Sequence, residues 1–414
     1  MELLFNLLLW TVILPSGTVL GIPVKMILFL FCVMLLIKGR YVKVNNNVKI
    51  ILFVMMCMLF WCGLSISYGY LPQDILTSLK VYISLVSTLV IFNIVLSAKK
   101  IKLERLMLTL KYIFVFMLVQ KIIIELLYIN ALISFADIQY LFNNVFDSDV
   151  MLLKYQFAGI EITRISTVND NIVLVLFGLL LWDKKNSVYK NLFIILATCI
   201  YSMINFSRLN LIQFAGTVLI IYISEYIGKL NKKKLLYALS SLAFILFLLS
   251  IKYEIIIEPL IYRFTGIQVE YSDSIRTEQL NYLLEGVLDS PIIGHGLGSY
   301  IPYYVRSEII KSSYELEYLS FLYQFGLFGF ILIIGSLIIV AFSMCKTSLK
   351  GLKLLITYNF LIWVLKPCFN PNFLSSISAM TIIILCIFKC YYENEYKYHC
   401  ISKYNKISDY EFVR

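Results

Sequence analysis

The sequence predicts an all-α polytopic membrane protein of about twelve transmembrane helices, with one large outward loop between helices 9 and 10. Three observations predict it. Hydrophobic residues make up 60% of the 414-residue chain and charged residues only 15%, where a soluble domain carries roughly a quarter charged. The apolar residues fall in runs close to the roughly 20 that a bilayer crossing requires. Lys and Arg concentrate in alternate connectors between those runs, which is how membrane orientation is written into a chain.

The runs lie near 3–20, 23–38, 48–67, 76–97, 107–130, 165–183, 190–206, 209–228, 234–252, 317–345, 350–366 and 371–390. No basic stretch precedes Leu3 and no small-residue cleavage site follows a short apolar core, so the first run reads as a retained span rather than a signal peptide. One set of connectors holds Lys38, Arg40, Lys43 and Lys49, then Lys99, Lys100, Lys102 and Arg105, then Lys184, Lys185 and Lys190. The same side continues with Lys229 and Lys232 to Lys234, with Lys346, Lys350 and Lys353, and with the tail. The opposite connectors at Pro15 to Gly17, Gly69 to Asp74 and Phe369 to Asn372 have no cation. The bias places both termini in the cytoplasm. The chain then divides into helices 1–9 over 1–252, an outer loop over 253–316, helices 10–12 over 317–390 and a solvated cytoplasmic tail over 391–414.

The net charge of +11 sits in these topology clusters, which argues against a nucleic-acid partner. The nine cysteines lie mostly in or beside apolar runs and show no disulfide or zinc spacing. With only two histidines, His295 and His399, no metal site is expected and no cofactor is called for. Lys121 and Glu125 share a helix face at i,i+4 and read as an internal ion pair, a proton path being the sharper alternative.

The outer loop is long for a connector without a packing role, and such loops carry function. It holds Arg263, Arg276, Arg306 and Lys311, the turn Gly294-His295-Gly296-Leu297-Gly298, and Tyr314, Glu315 and Glu317 at its re-entry. The turn lacks a strand before it and a helix after it, so it is no dinucleotide fingerprint. It reads as a tight turn bringing backbone close to a ligand or another helix. His295 reads as a loop histidine with a structural hydrogen bond, substrate contact coming second. Arg276 opens a helical stretch, Arg164 precedes the sixth span, and Arg208 occupies the short turn between the seventh and eighth. Arginine beside hydrocarbon is costly and is usually paired or functional. Three of them at the outer boundary fit a shared anion site, because the guanidinium fork matches phosphate oxygens. Glu315 and Glu317 diverge by about 200° on a helix, so they are no close carboxylate pair.

Arg276-x3-Leu280 followed by Asp289-Ser290-Pro291-Ile292-Ile293-Gly294-His295-Gly296-Leu297-Gly298 resembles the outer loop of the O-antigen polymerase and ligase superfamily. Glu315-Leu316-Glu317-Tyr318-Leu319 and Gly326-Leu327-Phe328-Gly329 are similar to the ligase pattern His-Asn-x-Tyr-Leu and Gly-Leu-x-Gly; Ser207-Arg208 and Arg164 also match family positions. Where ligases place His this chain has Glu315, which favours the polymerase (Wzy-type) branch. The resemblance implies a bacterial inner-membrane, metal-independent glycosyltransferase of polysaccharide biosynthesis. It would join undecaprenyl-diphosphate-linked oligosaccharides on the periplasmic face, among membrane lipid and with a chain-length regulator as a further partner. It also implies Arg208 and Arg276 on the leaving diphosphate and Glu315 as the base. Arg164, Arg263, His295, Tyr314 and Glu317 would be substrate contacts, Glu317 doubling as the fallback base. The alternatives are an O-antigen ligase acting on lipid A-core and, in another class, a lipid-linked-oligosaccharide flippase or transporter.

Overall fold

A backbone in hydrocarbon has to satisfy its own hydrogen bonds, so the apolar runs close into helices. The computed structural model is mostly helical and describes residues 2–14, 18–38, 45–97, 102–146, 150–157, 160–183, 186–205, 207–226, 267–305, 310–369 and 373–411. In chain order these form α1 (Glu2–Trp10), α2 (Val24–Lys38), α3 (Asn46–Ser67), α4 (Pro72–Ser97), α5 (Leu103–Ile129) and α6 (Phe135–Tyr140). A hairpin of β1 (Met151–Phe157) and β2 (Ile160–Ser166) follows. Then come α7 (Asp170–Leu181), α8 (Val188–Asn205), α9 (Arg208–Tyr226), α10 (Ile267–Asp289), α11 (Glu317–Gly329), α12 (Ser336–Cys345), α13 (Lys350–Leu365) and α14 (Ser376–Glu411).

Among the described residues, five helices are long and apolar enough to cross a membrane: Asn46–Ser67, Pro72–Leu96, Leu103–Ile129, Glu317–Cys345 and Ser376–Lys397. Other predicted runs fold into shorter pieces. The first gives α1 and a 3-10 turn at Thr11–Ile13. The sixth yields only the 12 residues of α7, because its β-branched start is drawn into β2. The predicted ninth span lies outside the described residues, as do the start of the outer loop with Arg263 and the later Arg306. The stretch read as a solvated tail continues α14 as one helix to Glu411.

α14 is the axis of the bundle. It packs against α4, α5, α7 and α12, and Ala379, Met380 and Ile382 to Phe388 are all buried. An apolar helix buried on every side belongs at the centre of a bundle. Helices α3 and α5, by contrast, leave Phe53, Met56, Phe60, Tyr112, Val115 and Val119 exposed. Such continuous apolar faces belong against lipid rather than water.

The connectors sort to two ends. At one, Asn169 bonds the carbonyl of Val12, Lys25 bonds Ser376, Lys311 pairs with Asp74, and Trp61 Nε1 donates to Ile293. At the other, Glu2 pairs with Arg105, Lys111 with Asp183, and Thr347 bonds Glu393.

The expected Lys121–Glu125 pair is not formed. Lys121 Nζ lies 2.5 Å from Asp170 Oδ1 and donates to the Ile165 carbonyl at 2.7 Å. Glu125 instead accepts the Thr163 backbone N–H at 2.7 Å. Tertiary packing brought a better partner to each: an i,i+4 pair is worth only about 0.2–0.5 kcal/mol, whereas residues 6% and 1% exposed, such as Lys121 and Asp170, need close compensation of charge.

Candidate active site

α10 forms because Leu280, Leu283, Leu284 and Val287 recur at helical spacing, and Pro291 beyond its end cannot extend it. It packs against α11, and Leu283 joins Ile301, Tyr314 and Tyr323 in a small core under the loop. Arg276 therefore lies in mid-helix rather than opening the helix as the sequence suggested, since α10 begins a few turns earlier.

α11 carries an interruption near its end. Gly326 has φ 61° and ψ −177°, a conformation that breaks the helix. A break frees carbonyls before it and N–H groups after it, and buried backbone groups demand partners. The outer turn supplies them: His295 N and Gly296 N donate to the carbonyls of Tyr323 and Gln324, while Leu327 N and Phe328 N donate to Pro291 and Ile292. A Cβ on Gly294, where φ is +75°, would run into the backbone of Gln324 and Gly326. Of the two readings of the glycine turn, packing against another helix is the one observed. His295 is stacked on the Tyr323 ring at 4.4 Å, with Nδ1 3.2 Å from its carbonyl.

This scaffold holds Glu315 against α10. Arg276 Nε donates to Glu315 Oε2 at 2.8 Å, and Gln279, one turn further along α10, accepts the Glu315 backbone N–H at 3.0 Å. Asp273, one turn before Arg276, lies 3.2 Å from Arg276 and 3.4 Å from Arg208, the first residue of α9. Arg208, Arg276 and Glu315, drawn from three parts of the sequence, thus form one chain of ionic contacts joined by Asp273. The side chains of both arginines and Glu315 are partly open, and that of Asp273 is 55% exposed. Two guanidinium groups share one exposed carboxylate, and the same forks match the oxygens of an anionic ligand such as phosphate.

The other predicted contacts lie elsewhere. Arg164 is buried in β2, paired opposite Leu153, and its Nε donates to the Asn205 carbonyl at 3.0 Å. Glu317 opens α11, is 7% exposed, and accepts the Phe373 backbone N–H at 2.7 Å. The Tyr314 hydroxyl accepts the Ile301 N–H and donates to the Tyr304 carbonyl; burial pushes its pKa up to about 12. Sequence reasoning missed Asp273 and Gln279. The only signal was their spacing of three residues on either side of Arg276, which places all three along one face of a helix. Among the described residues no group of three or more His, Cys, Asp or Glu is placed to hold a metal ion.

The apolar helices define an integral membrane protein. A model of the O-antigen ligase family matches residues 192–334, a segment containing Arg208, Asp273, Arg276, Gln279, Glu315 and Glu317. The match is consistent with the O-antigen polymerase and ligase superfamily that the motifs resemble. No curated protein matches the chain.

Proposed function

We propose that the protein polymerises undecaprenyl-diphosphate-linked oligosaccharide repeat units into a surface polysaccharide on the periplasmic face of the inner membrane. The observation that carries this reading is the convergence of Arg208 and Arg276 on one carboxylate beside Glu315. In the reaction the acceptor hydroxyl attacks the anomeric carbon of the donor sugar, and the bond to the lipid diphosphate breaks. Charge develops on that diphosphate, and fixed guanidinium groups aimed at developing charge lower the barrier most. The diphosphate takes the place of Asp273 between the two arginines. Glu315, released from Arg276 as that guanidinium turns to phosphate, accepts the acceptor proton. Arg164, buried against α8, supports the Asn205 end of the turn that carries Arg208.

The topology read from the cations goes with this: about twelve crossings, both termini cytoplasmic, and the loop outside. The sorting of connectors to two ends of the bundle supports it, because the residues gathered around the arginines come from connectors poor in topology cations.

Deletion of the gene, with inspection of the glycan pools, tests the reaction. Polymerase loss leaves single repeat units attached to the outer core. The family description favours one second reading, a ligase; its loss leaves long lipid-linked polymer with no attachment. Unchanged polymer length and yield with both Arg276→Lys and Arg208→Ala, each replacing the native gene, would end the diphosphate-site reading.

A further inference from the structure

Beside the 314–317 segment, a cleft of about 80 Å³ opens between α4, the loop and α11. Its walls come from single faces: Ser78, Val81 and Tyr82 on α4, and Glu317, Phe321 and Gln324 on α11, spaced i, i+3, i+4 and i, i+4, i+7. Ser312 and Ser313 close it from the loop. No Lys or Arg lines it among the described residues, so it is a poor home for phosphate.

One group in it lacks a partner. Tyr82 is 3% exposed, and its hydroxyl makes no hydrogen bond. A buried hydroxyl left unsatisfied costs about 1–3 kcal/mol, which a ligand that bonds it recovers. Around that hydroxyl stand aliphatic hydroxyls from Ser78 and Ser312, bonded to each other at 3.0 Å, the Glu317 carboxylate, and the apolar ring of Phe321. Carboxylate and hydroxyl groups exchange hydrogen bonds with the rim of a sugar, while an aromatic ring accepts its C–H face. The cleft's chemistry is that of a neutral polyhydroxyl ring.

We propose that this cleft is a saccharide subsite, with Tyr82, Ser78 and Glu317 bonding a sugar ring and Phe321 covering its face. That the ring belongs to the acceptor glycan rests on the polymerase reading above; that the cleft binds sugar does not. Glycan and diphosphate are thereby held at separate sites, and the residue that touches the ring is Glu317.

The test uses the full chain in lipid nanodiscs and two probes: the repeat-unit oligosaccharide freed from its lipid by mild acid, and inorganic pyrophosphate. Removing one neutral hydrogen bond makes Tyr82→Phe bind the oligosaccharide about 3–10-fold more weakly. Ser312→Leu, which fills the cleft from the loop, abolishes oligosaccharide binding. Both variants bind pyrophosphate as the parent does, which shows that they are folded. Arg208→Ala and Arg276→Lys behave the other way round, losing pyrophosphate and keeping the oligosaccharide. The subsite is overturned if both cleft variants bind the oligosaccharide with parental affinity, or if the parent shows no saturable binding up to about 10 mM, an affinity below about 3 kcal/mol. If only the arginine variants behave like the parent, the diphosphate site fails and the subsite stands.

Discussion

At the level of single residues, the site turns on how three charges are shared. Asp273 holds Arg208 and Arg276 at 3.4 and 3.2 Å; in the proposed reaction an incoming diphosphate has to displace it and then lie near its negative charge. Asp273→Asn is therefore expected to lower KM for the lipid-linked donor by about 2–5-fold, since like charges repel across a partly open site. A steady-state assay on the purified enzyme reads this, and an unchanged or higher KM would show that Asp273 positions the arginines instead of competing for them. Arg276→Lys keeps the charge and loses the fork, and the expected fall in turnover is about 10²–10³-fold, as for removal of one donor from a charge-stabilising site. Glu315→Gln should cut turnover about 10²–10⁴-fold at normal protein level; full activity would transfer the base role away from Glu315.

At the level of elements, the interruption of α11 and the glycine turn repair each other. Neither is comprehensible alone: the break at Gly326 exposes groups that only the 291–296 backbone satisfies. Gly294→Ala places an L-residue at φ +75° against the Gln324 backbone. The backbone conformation alone costs about 1–2 kcal/mol, and the collision adds to it. Thermal unfolding in detergent should show a lower midpoint, with turnover falling because Glu315 loses its support; an unshifted midpoint would mean that the loop docks loosely. The 314–317 segment depends on this scaffold, which is why a motif far from the arginines in sequence bears on them. Much of this was half legible beforehand. The glycine turn, Arg276, Arg208 and Glu315 all stood out in the chain, but Asp273 and Gln279 did not, because an Asp and a Gln on a polar helix look like solvated surface until a neighbour arrives. Tyr82 was hidden for the reverse reason, as a tyrosine inside an apolar run reads as filling.

At the level of the whole molecule, the buried Lys121–Asp170 pair ties α5 to the start of α7, with Tyr201 of α8 adding a hydrogen bond to Asp170 at 2.6 Å. Lys121→Met leaves that carboxylate buried without its cation, and the expected loss is about 3–5 kcal/mol. The double variant with Asp170→Asn should recover part of it when unfolding is followed in detergent; no recovery would mean that the pair is not coupled. Topology has its own check. In a cysteine-free background, Gln73→Cys should react with an impermeant maleimide on intact spheroplasts and Ser348→Cys only after lysis, both positions being exposed.

By itself the sequence determined that the protein is a mostly helical membrane protein, because composition and run length act locally and need no partner, but the β1–β2 hairpin and the short α7 were not legible in it. It also exposed the arginines, since a cation at a membrane boundary is conspicuous wherever the chain leads. Pairing was decided only by the tertiary structure. Lys121 chose Asp170 over Glu125 four residues away, Arg164 went into a strand buried against α8, and Arg208 and Arg276 met at Asp273. Each of these outcomes depends on which charge lies within about 4 Å once water is excluded, and the order of residues along a chain does not contain that distance.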